Sequence, residues 1–554
     1  MISVSKLALA TGILAAAVSF GAAASAQEAQ PVVNAPAGAV KGRAEAGIAA
    51  FKGIPYAAPP VGAYRWRPPA PAASWSGVRD ASQFGAACTQ PTRTVESIYS
   101  ADLGQTSEDC LTLNIWTPSI APSAKAPVIV WIHGGALVSG SSRETLYDGT
   151  HLAAAGTVVV SINYRLGVLG WLAHPDLSAE SPVGISGNYG LLDQVAALTW
   201  VKRNIEAFGG DPTNVTIAGE SAGALSVMYL MTSPLARGLF SKAIAQSAYM
   251  ISTPELKQAR FGALSAEDSG ARLARTLQTP TLRAMRAMDP QILTDTAAQS
   301  GFSPFGAVDG TVLPRQLVDS FDRGEQAPVP ILAGFNSGEI RSLRMLAPPA
   351  PSSAAEYERT IRSKYGDLAE DFLRLYPASD MAESILATTR DALYGWTSER
   401  LVRSQTGIGQ PSFLYLFDHG YPAADQGGLH AFHASELPFM FGTLDRTPPR
   451  WPKIPTTPDE EGFSRAMIEY WTSFARDGRP EAPEAAPWPP YSSDGSYMAF
   501  RDDPSAQAAL TPGMFTLHET AMCRRRASGD LAWNWNTGLA SPTLTLPSKN
   551  PTCP

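Results

Sequence analysis

The chain has 554 residues and a formal net charge of −7. That length gives room for several domains at ~150 residues each, but no low-complexity linker, repeat or charged block divides it. Mild acidity with no basic stripe excludes nucleic acid as a partner, and the one basic run, Arg524-Arg525-Arg526, reads as a solvated stretch.

The N-terminus reads as a secretory signal. Lys6 supplies the positive start, residues 7–23 an apolar run, and Ala24-Ser25-Ala26 a cleavage site, so residues 1–26 are removed and the mature chain starts at Gln27. The apolar run is short for a membrane span, and no other stretch is long enough. An uncleaved anchor is the competing reading. Secretion or periplasmic export permits disulfides. Cys88, Cys110, Cys523 and Cys553 allow three pairings. Cys88–Cys110 with Cys523–Cys553 closes two short loops and is the expected set. No C-x-x-C spacing occurs, so no metal site is expected, and no cofactor.

In chain order, strands are expected at 51–56, 111–116, 128–132 and 157–162. The last two are apolar on both faces, as suits central parallel strands covered by helices. A helix follows at 190–208, where Leu191, Val195, Leu198, Val201, Ile205 and Phe208 repeat every three or four residues. Gly209-Gly210-Asp211-Pro212 ends it. Further strands are expected at 214–218, 243–246, 329–333 and 413–417, and a helix at 222–231. Helical segments at 254–288 and 354–405 read as insertions. Alternating strands and helices imply an α/β doubly wound sheet. From 527 to 554 periodicity disappears, leaving one domain over 27–526 and an irregular tail.

Gly219-Glu220-Ser221-Ala222-Gly223 lies between the strand at 214–218 and the helix at 222–231. A G-x-S-x-G in that setting is a nucleophile elbow: a turn too tight for side chains at its flanks holds the serine exposed above the sheet. The helix start behind it favours negative charge. Acyl transfer by serine also needs a base, an orienting acid and an oxyanion hole. In the order Ser, acid, His, the base must be His419, His430, His433 or His518, and the acid should follow a strand.

Two long segments carry a resemblance. Glu108-Asp109-Cys110-Leu111-Thr112-Leu113-Asn114-Ile115-Trp116 is one. Phe208-Gly209-Gly210-Asp211-Pro212-Thr213-Asn214-Val215-Thr216-Ile217-Ala218-Gly219-Glu220-Ser221-Ala222-Gly223 is the other. Both resemble signatures of the type-B carboxylesterases, the cholinesterase-like branch of the α/β-hydrolases. Residues 51–60, Asn163-Tyr164-Arg165 and Gly187-Asn188-Tyr189-Gly190-Leu191 also fit. The resemblance implies an α/β-hydrolase fold with helical insertions and hydrolysis of small-molecule carboxylic esters through an acyl-enzyme. It names Ser221 as nucleophile and Glu339, in Gly334-Phe335-Asn336-Ser337-Gly338-Glu339, as acid. It names His433 as base, in His433-Ala434-Ser435-Glu436-Leu437-Pro438-Phe439-Met440-Phe441-Gly442. The backbone N–H groups of Gly135, Ala136 and Ala222 would form the oxyanion hole. A neutral His433 is required, so activity should rise near neutral pH.

Each residue has a blander alternative. Glu339 could pair with Arg341. His430, His433 and Glu436 have a metal-like spacing but no H-E-x-x-H arrangement. His133 precedes the nucleophile and more simply shapes the glycine loop. Asn214-Val215-Thr216 matches a glycosylation sequon inside an expected buried strand. Ser226 either supports Glu339 or caps backbone, and Glu108 with Arg165 reads as a buried pair. Arg341 and Arg344 either greet an acidic substrate or stand in solvent. Ala136 and Leu137 depart from a third glycine and reshape the loop. The 88–110 loop holds Tyr99 but no tryptophan, which argues against choline esters. Amide hydrolysis, or a non-enzymatic adhesion role of the same fold, are the rival functions.

Overall fold

The computed structural model describes residues 1–2, 30–279, 281–529, 531–533, 537–544 and 553. The signal segment and its cleavage site lie outside the described residues, apart from the first two. Among those residues, eleven strands form one sheet. In chain order they are β1 (Arg43–Glu45), β2 (Ile48–Pro55), β3 (Thr112–Thr117), β4 (Ala126–Ile132), β5 (Val158–Ile162) and β6 (Gly210–Glu220). They continue with β7 (Lys242–Gln246), β8 (Ile331–Asn336), β9 (Ser412–Phe417), β10 (Tyr497–Phe500) and β11 (Ser505–Gln507). Across the sheet the order is β11-β10-β9-β8-β7-β6-β4-β5-β3-β2-β1. Strands β5, β4 and β6 through β10 run parallel, and the outer strands pair antiparallel.

Period-two alternation explains the layering. Val128, Val130 and Ile132 face one buried layer, whereas Ile129 and Trp131 face the other. Val158 and Val160 repeat the pattern against Val159. Each such side chain removed from water contributes about 1.5–3 kcal/mol. The two layers are completed by helices Tyr189–Asn204 and Ala222–Thr232 on one side and Pro458–Asp477 on the other.

Strand β4 is followed in sequence by β5 on one side and has β6 on the other. Such a reversal of strand order opens a crevice at the carboxyl ends of the strands. The glycine loop leaves β4 there, and the elbow leaves β6.

The periodic helix is shorter than its pattern, ending at Asn204 and tightening to a 3₁₀ turn at Ile205–Phe208. Residues 254–264 are turns rather than helix. The helix Ala266–Thr276 begins only where Ser265 can cap it, its hydroxyl accepting from Asp268 N. The second insertion contains a π-turn at Asp391–Gly395 between helices Met381–Arg390 and Trp396–Gly407. The C-terminal region also differs from expectation. Helix Met514–Ser528 runs through position 526. Beyond it, Trp533 is fully buried, edge-on to Phe261 and donating to Met250 O. The arginine run is not a solvated stretch: Arg524 pairs with Asp367, Arg525 donates to Ser541, and Arg526 meets Asp319 and Asp322. Cys88 is bonded to Cys110, and Cys523 to Cys553. Among the described residues, no helix is long and apolar enough to cross a membrane.

Candidate active site

Ser221 has φ 56° and ψ −120°, a conformation that costs a non-glycine residue about 1–3 kcal/mol. The surroundings enforce it. A Cβ on Gly219 would lie 2.5 Å from the Gly223 carbonyl carbon, and one on Gly223 would lie 2.0 Å from Ile132 O. Ser221 N donates to Gln246 O at 2.9 Å, tying the turn to β7.

The glycine loop runs beside the elbow. A Cβ on Gly134 would come within 3.3 Å of Ser221 Cβ. Gly135, Ala136 and Leu137 all have positive φ, at 98°, 56° and 60°. Three bonds hold this strained turn: Val138 N and Ser139 N donate to Gly135 O, and Gly167 N donates to Leu137 O. His133 shapes the loop from behind. Its Nδ1 bonds Gly134 O at 2.9 Å, its ring stacks on Tyr164, and burial lowers its pKa to about 4, so it stays neutral.

Glu339 opens a four-residue helix just after β8 and is fully buried. Its Oε1 accepts from Ser247 Oγ at 2.6 Å and from Asn336 N at 2.9 Å. Its Oε2 meets His433 Nδ1. The opposite ring nitrogen, Nε2, faces the elbow and lies 3.0 Å from Glu220 Oε1. Burial lowers the His433 pKa, but Glu220 and Glu339 raise it more, leaving it well above the ordinary imidazole value. The other downstream histidines have different partners. His419 bonds Glu460, His430 bonds Asp425 and Asp418, and His518 bonds Tyr376.

A second buried carboxyl, Glu436, sits behind this pair. It accepts from Gln246 Nε2 at 2.9 Å and from Asn336 Nδ2 at 2.6 Å. Burial, with Glu220 and Glu339 nearby, raises its pKa to about 8. It is therefore a neutral acid at neutral pH.

The alternatives left by the sequence are resolved, and one expected pair, Glu108 with Arg165, is corrected. Ser226 does not support Glu339: it bonds Ala222 O and Gln194. Ser247 does so instead, because it directly follows β7, the neighbour of β8, at the sheet edge where site residues gather. That placement is the signal the sequence held. Arg341 pairs with Glu383, not with Glu339, and Arg344 is exposed. Glu108 pairs with Arg65, and Arg165 with Asp193, rather than with each other. Asn214 of the sequon spends its amide on Arg476 O and its oxygen on Lys242. Tyr394, on the π-turn, packs its ring 5.4 Å from that of His433 and has no motif to announce it.

The sheet order, the strained serine turn and the acid and histidine loops after β8 and β9 define an α/β-hydrolase. The chain belongs to the carboxylesterase family, whose model matches residues 29–515, and is a carboxylic ester hydrolase. It is 37% identical over 516 residues to the fumonisin B1 esterase of Sphingopyxis macrogoltabida, covering 90% of this chain and 92% of that one. It is 36% identical to the para-nitrobenzyl esterase of Bacillus subtilis, over 86% and 97% of the two chains. A solved PNB esterase structure superposes with a TM-score of 0.76 at 33% identity, covering 88% of this chain and 99% of that one.

Proposed function

We propose that this ester hydrolase works through an acyl-enzyme on Ser221, with His433 as base and Glu339 as orienting acid. The observation that carries this is the His433 ring, bonded to Glu339 through Nδ1 while Nε2 faces the strained turn that presents Ser221. His433 takes the Ser221 proton as Oγ bonds the ester carbonyl carbon. The carbonyl electron pair moves onto oxygen, where the N–H groups of Gly135, Ala136 and Ala222 meet it. The intermediate collapses, the alkoxide leaves and takes the proton from His433, and the acyl group stays on Ser221. Water then attacks the same carbon, giving its proton to His433; the second intermediate collapses, the bond to Oγ breaks, Ser221 takes the proton back from His433, and the acid departs. Glu339 fixes the imidazole tautomer and stabilises the imidazolium without taking its proton.

The relatives named for fumonisin B1 and para-nitrobenzyl esters support small-molecule esters as the substrate class. Two disulfides fit an oxidising compartment, and with the signal-like N-terminus they support export. The test is Ser221→Ala against a p-nitrophenyl ester. Turnover should vanish while the melting temperature stays nearly unchanged, and a variant keeping a tenth of wild-type turnover would refute the assignment.

A further inference from the structure

Tyr99 stands near the middle of the disulfide-closed segment 88–110 and touches the segments that carry both the base and the acid. Its hydroxyl lies 2.9 Å from the carbonyl O of His433 and 2.7 Å from Ser342 Oγ. Ser342 ends the short helix that Glu339 begins, and its Oγ also reaches Glu339 O at 3.4 Å. A phenol has one proton and a carbonyl can only accept. The Tyr99 proton is shared between His433 O and Ser342 Oγ, and the Ser342 hydroxyl donates onward to Glu339 O.

The ring is placed as firmly as the hydroxyl. It stands edge-on to the His433 imidazole, at 6.4 Å and 79°, and edge-on to Trp451 at 5.9 Å. Trp451 packs 4.8 Å from Phe432, the residue before the base. The base itself lies in irregular backbone, bracketed by His430 and Ala434 with φ of 51° and 68°. Gly338 N donates to Ala431 O and Asn336 Nδ2 to Phe432 O, tying the residues before the base to the acid segment, while the carbonyl of His433 itself is gripped by Tyr99. Tyr99 also lines a cavity of about 780 Å³ with Gln90, Arg93, Val138 and Ser139, so it is reachable from the glycine-loop side.

We propose that Tyr99 is a positioning residue for ester hydrolysis: its hydroxyl clips the His433 backbone to the helix of Glu339 and so holds base and acid in register. This rests on the Ser221–His433–Glu339 reading.

Tyr99→Phe removes the clip and keeps the ring. With p-nitrophenyl acetate, kcat should fall about tenfold, the scale of one lost hydrogen bond. KM should stay within about twofold, because binding precedes the proton transfer that the clip serves. The pH at which the acid limb of kcat/KM falls should also shift, since the distance from His433 to its carboxylates changes, whereas a merely structural contact would leave it in place. Tyr99→Phe/Ser342→Ala should cost no more than Tyr99→Phe alone, because both remove one chain of bonds. A kcat within twofold of wild type, a loss confined to KM, an unmoved acid limb, or single losses that multiply would each overturn the role. Stoichiometric inactivation of the wild type by an organophosphate, run in parallel, separates the two levels. If it fails, the serine reading falls and this role with it; if it succeeds while Tyr99→Phe behaves as wild type, only the clip is lost.

Discussion

His433 Nε2 lies 3.0 Å from Oε1 of Glu220, the residue immediately before Ser221. The nitrogen that receives the serine proton in the proposed mechanism thus has a carboxylate beside it, while Glu339 holds the other nitrogen. Burial alone would lower the imidazole pKa, and the two carboxylates reverse that. His433 is held protonated to a higher pH than an ordinary histidine, so, with His433 as the proposed base, the acid limb of kcat/KM should lie above the neutral value expected from the sequence. Glu220→Gln removes one charge and should move that limb to lower pH. A pH profile in which the variant and the wild type share the same limb would contradict this.

Glu339→Gln should cost far more than Glu436→Gln. Glu339 touches His433, and loss of an orienting carboxylate costs on the order of 10⁴-fold in kcat. Glu436 instead accepts from Gln246 and Asn336 and is already neutral below about pH 8. A glutamine there should leave kcat at pH 7 within about threefold. Comparable losses in the two variants would undo the choice of acid.

Glu436 also sets a stability trend. Its folded pKa is raised to about 8, above the ~4.3 of an unfolded glutamate. The folded chain therefore holds the extra proton between those values, and its stability falls as pH rises from about 4.3 to 8. Glu436→Gln removes this dependence. Melting temperatures across pH 5–8 should show the variant gaining on the wild type as pH rises; parallel curves would contradict the trend.

Trp533→Ala tests whether the C-terminal segment belongs to the fold. The side chain is fully buried against Phe261 and bonded to Met250 O. Its truncation should cost about 3–5 kcal/mol in a urea titration, the range for buried tryptophans. A change under 1 kcal/mol would mark the segment as an appendage.

The central strands were legible because a run such as Val128-Ile129-Val130-Trp131-Ile132, apolar on both faces, has few other places to go. The elbow was legible because only glycine fits at 219 and 223. What escaped depends on partners distant in sequence. Ser247 has only its place directly after a strand to announce it, a weaker cue than a motif, and Ser226 is equally fit for the task by sequence. Arg524 to Arg526 looked solvated because Asp367, Asp319 and Asp322 lie some 150–200 residues earlier. Glu108 and Arg165 are joined by charge type alone, whereas the fold gives each a different and nearer partner, Arg65 at a separation of 43 and Asp193 at 28. The sequence after 527 has no periodicity, yet its described residues dock through Trp533, Gly538, Leu539, Ser541 and Leu544, all on partners outside the segment.

The most direct measurement is peptide mass mapping after inactivation with an organophosphate. The proposed chemistry predicts one adduct per chain, on Ser221, with activity lost in proportion to labelling. An adduct on any other residue, or full labelling of Ser221 with hydrolysis intact, would contradict it.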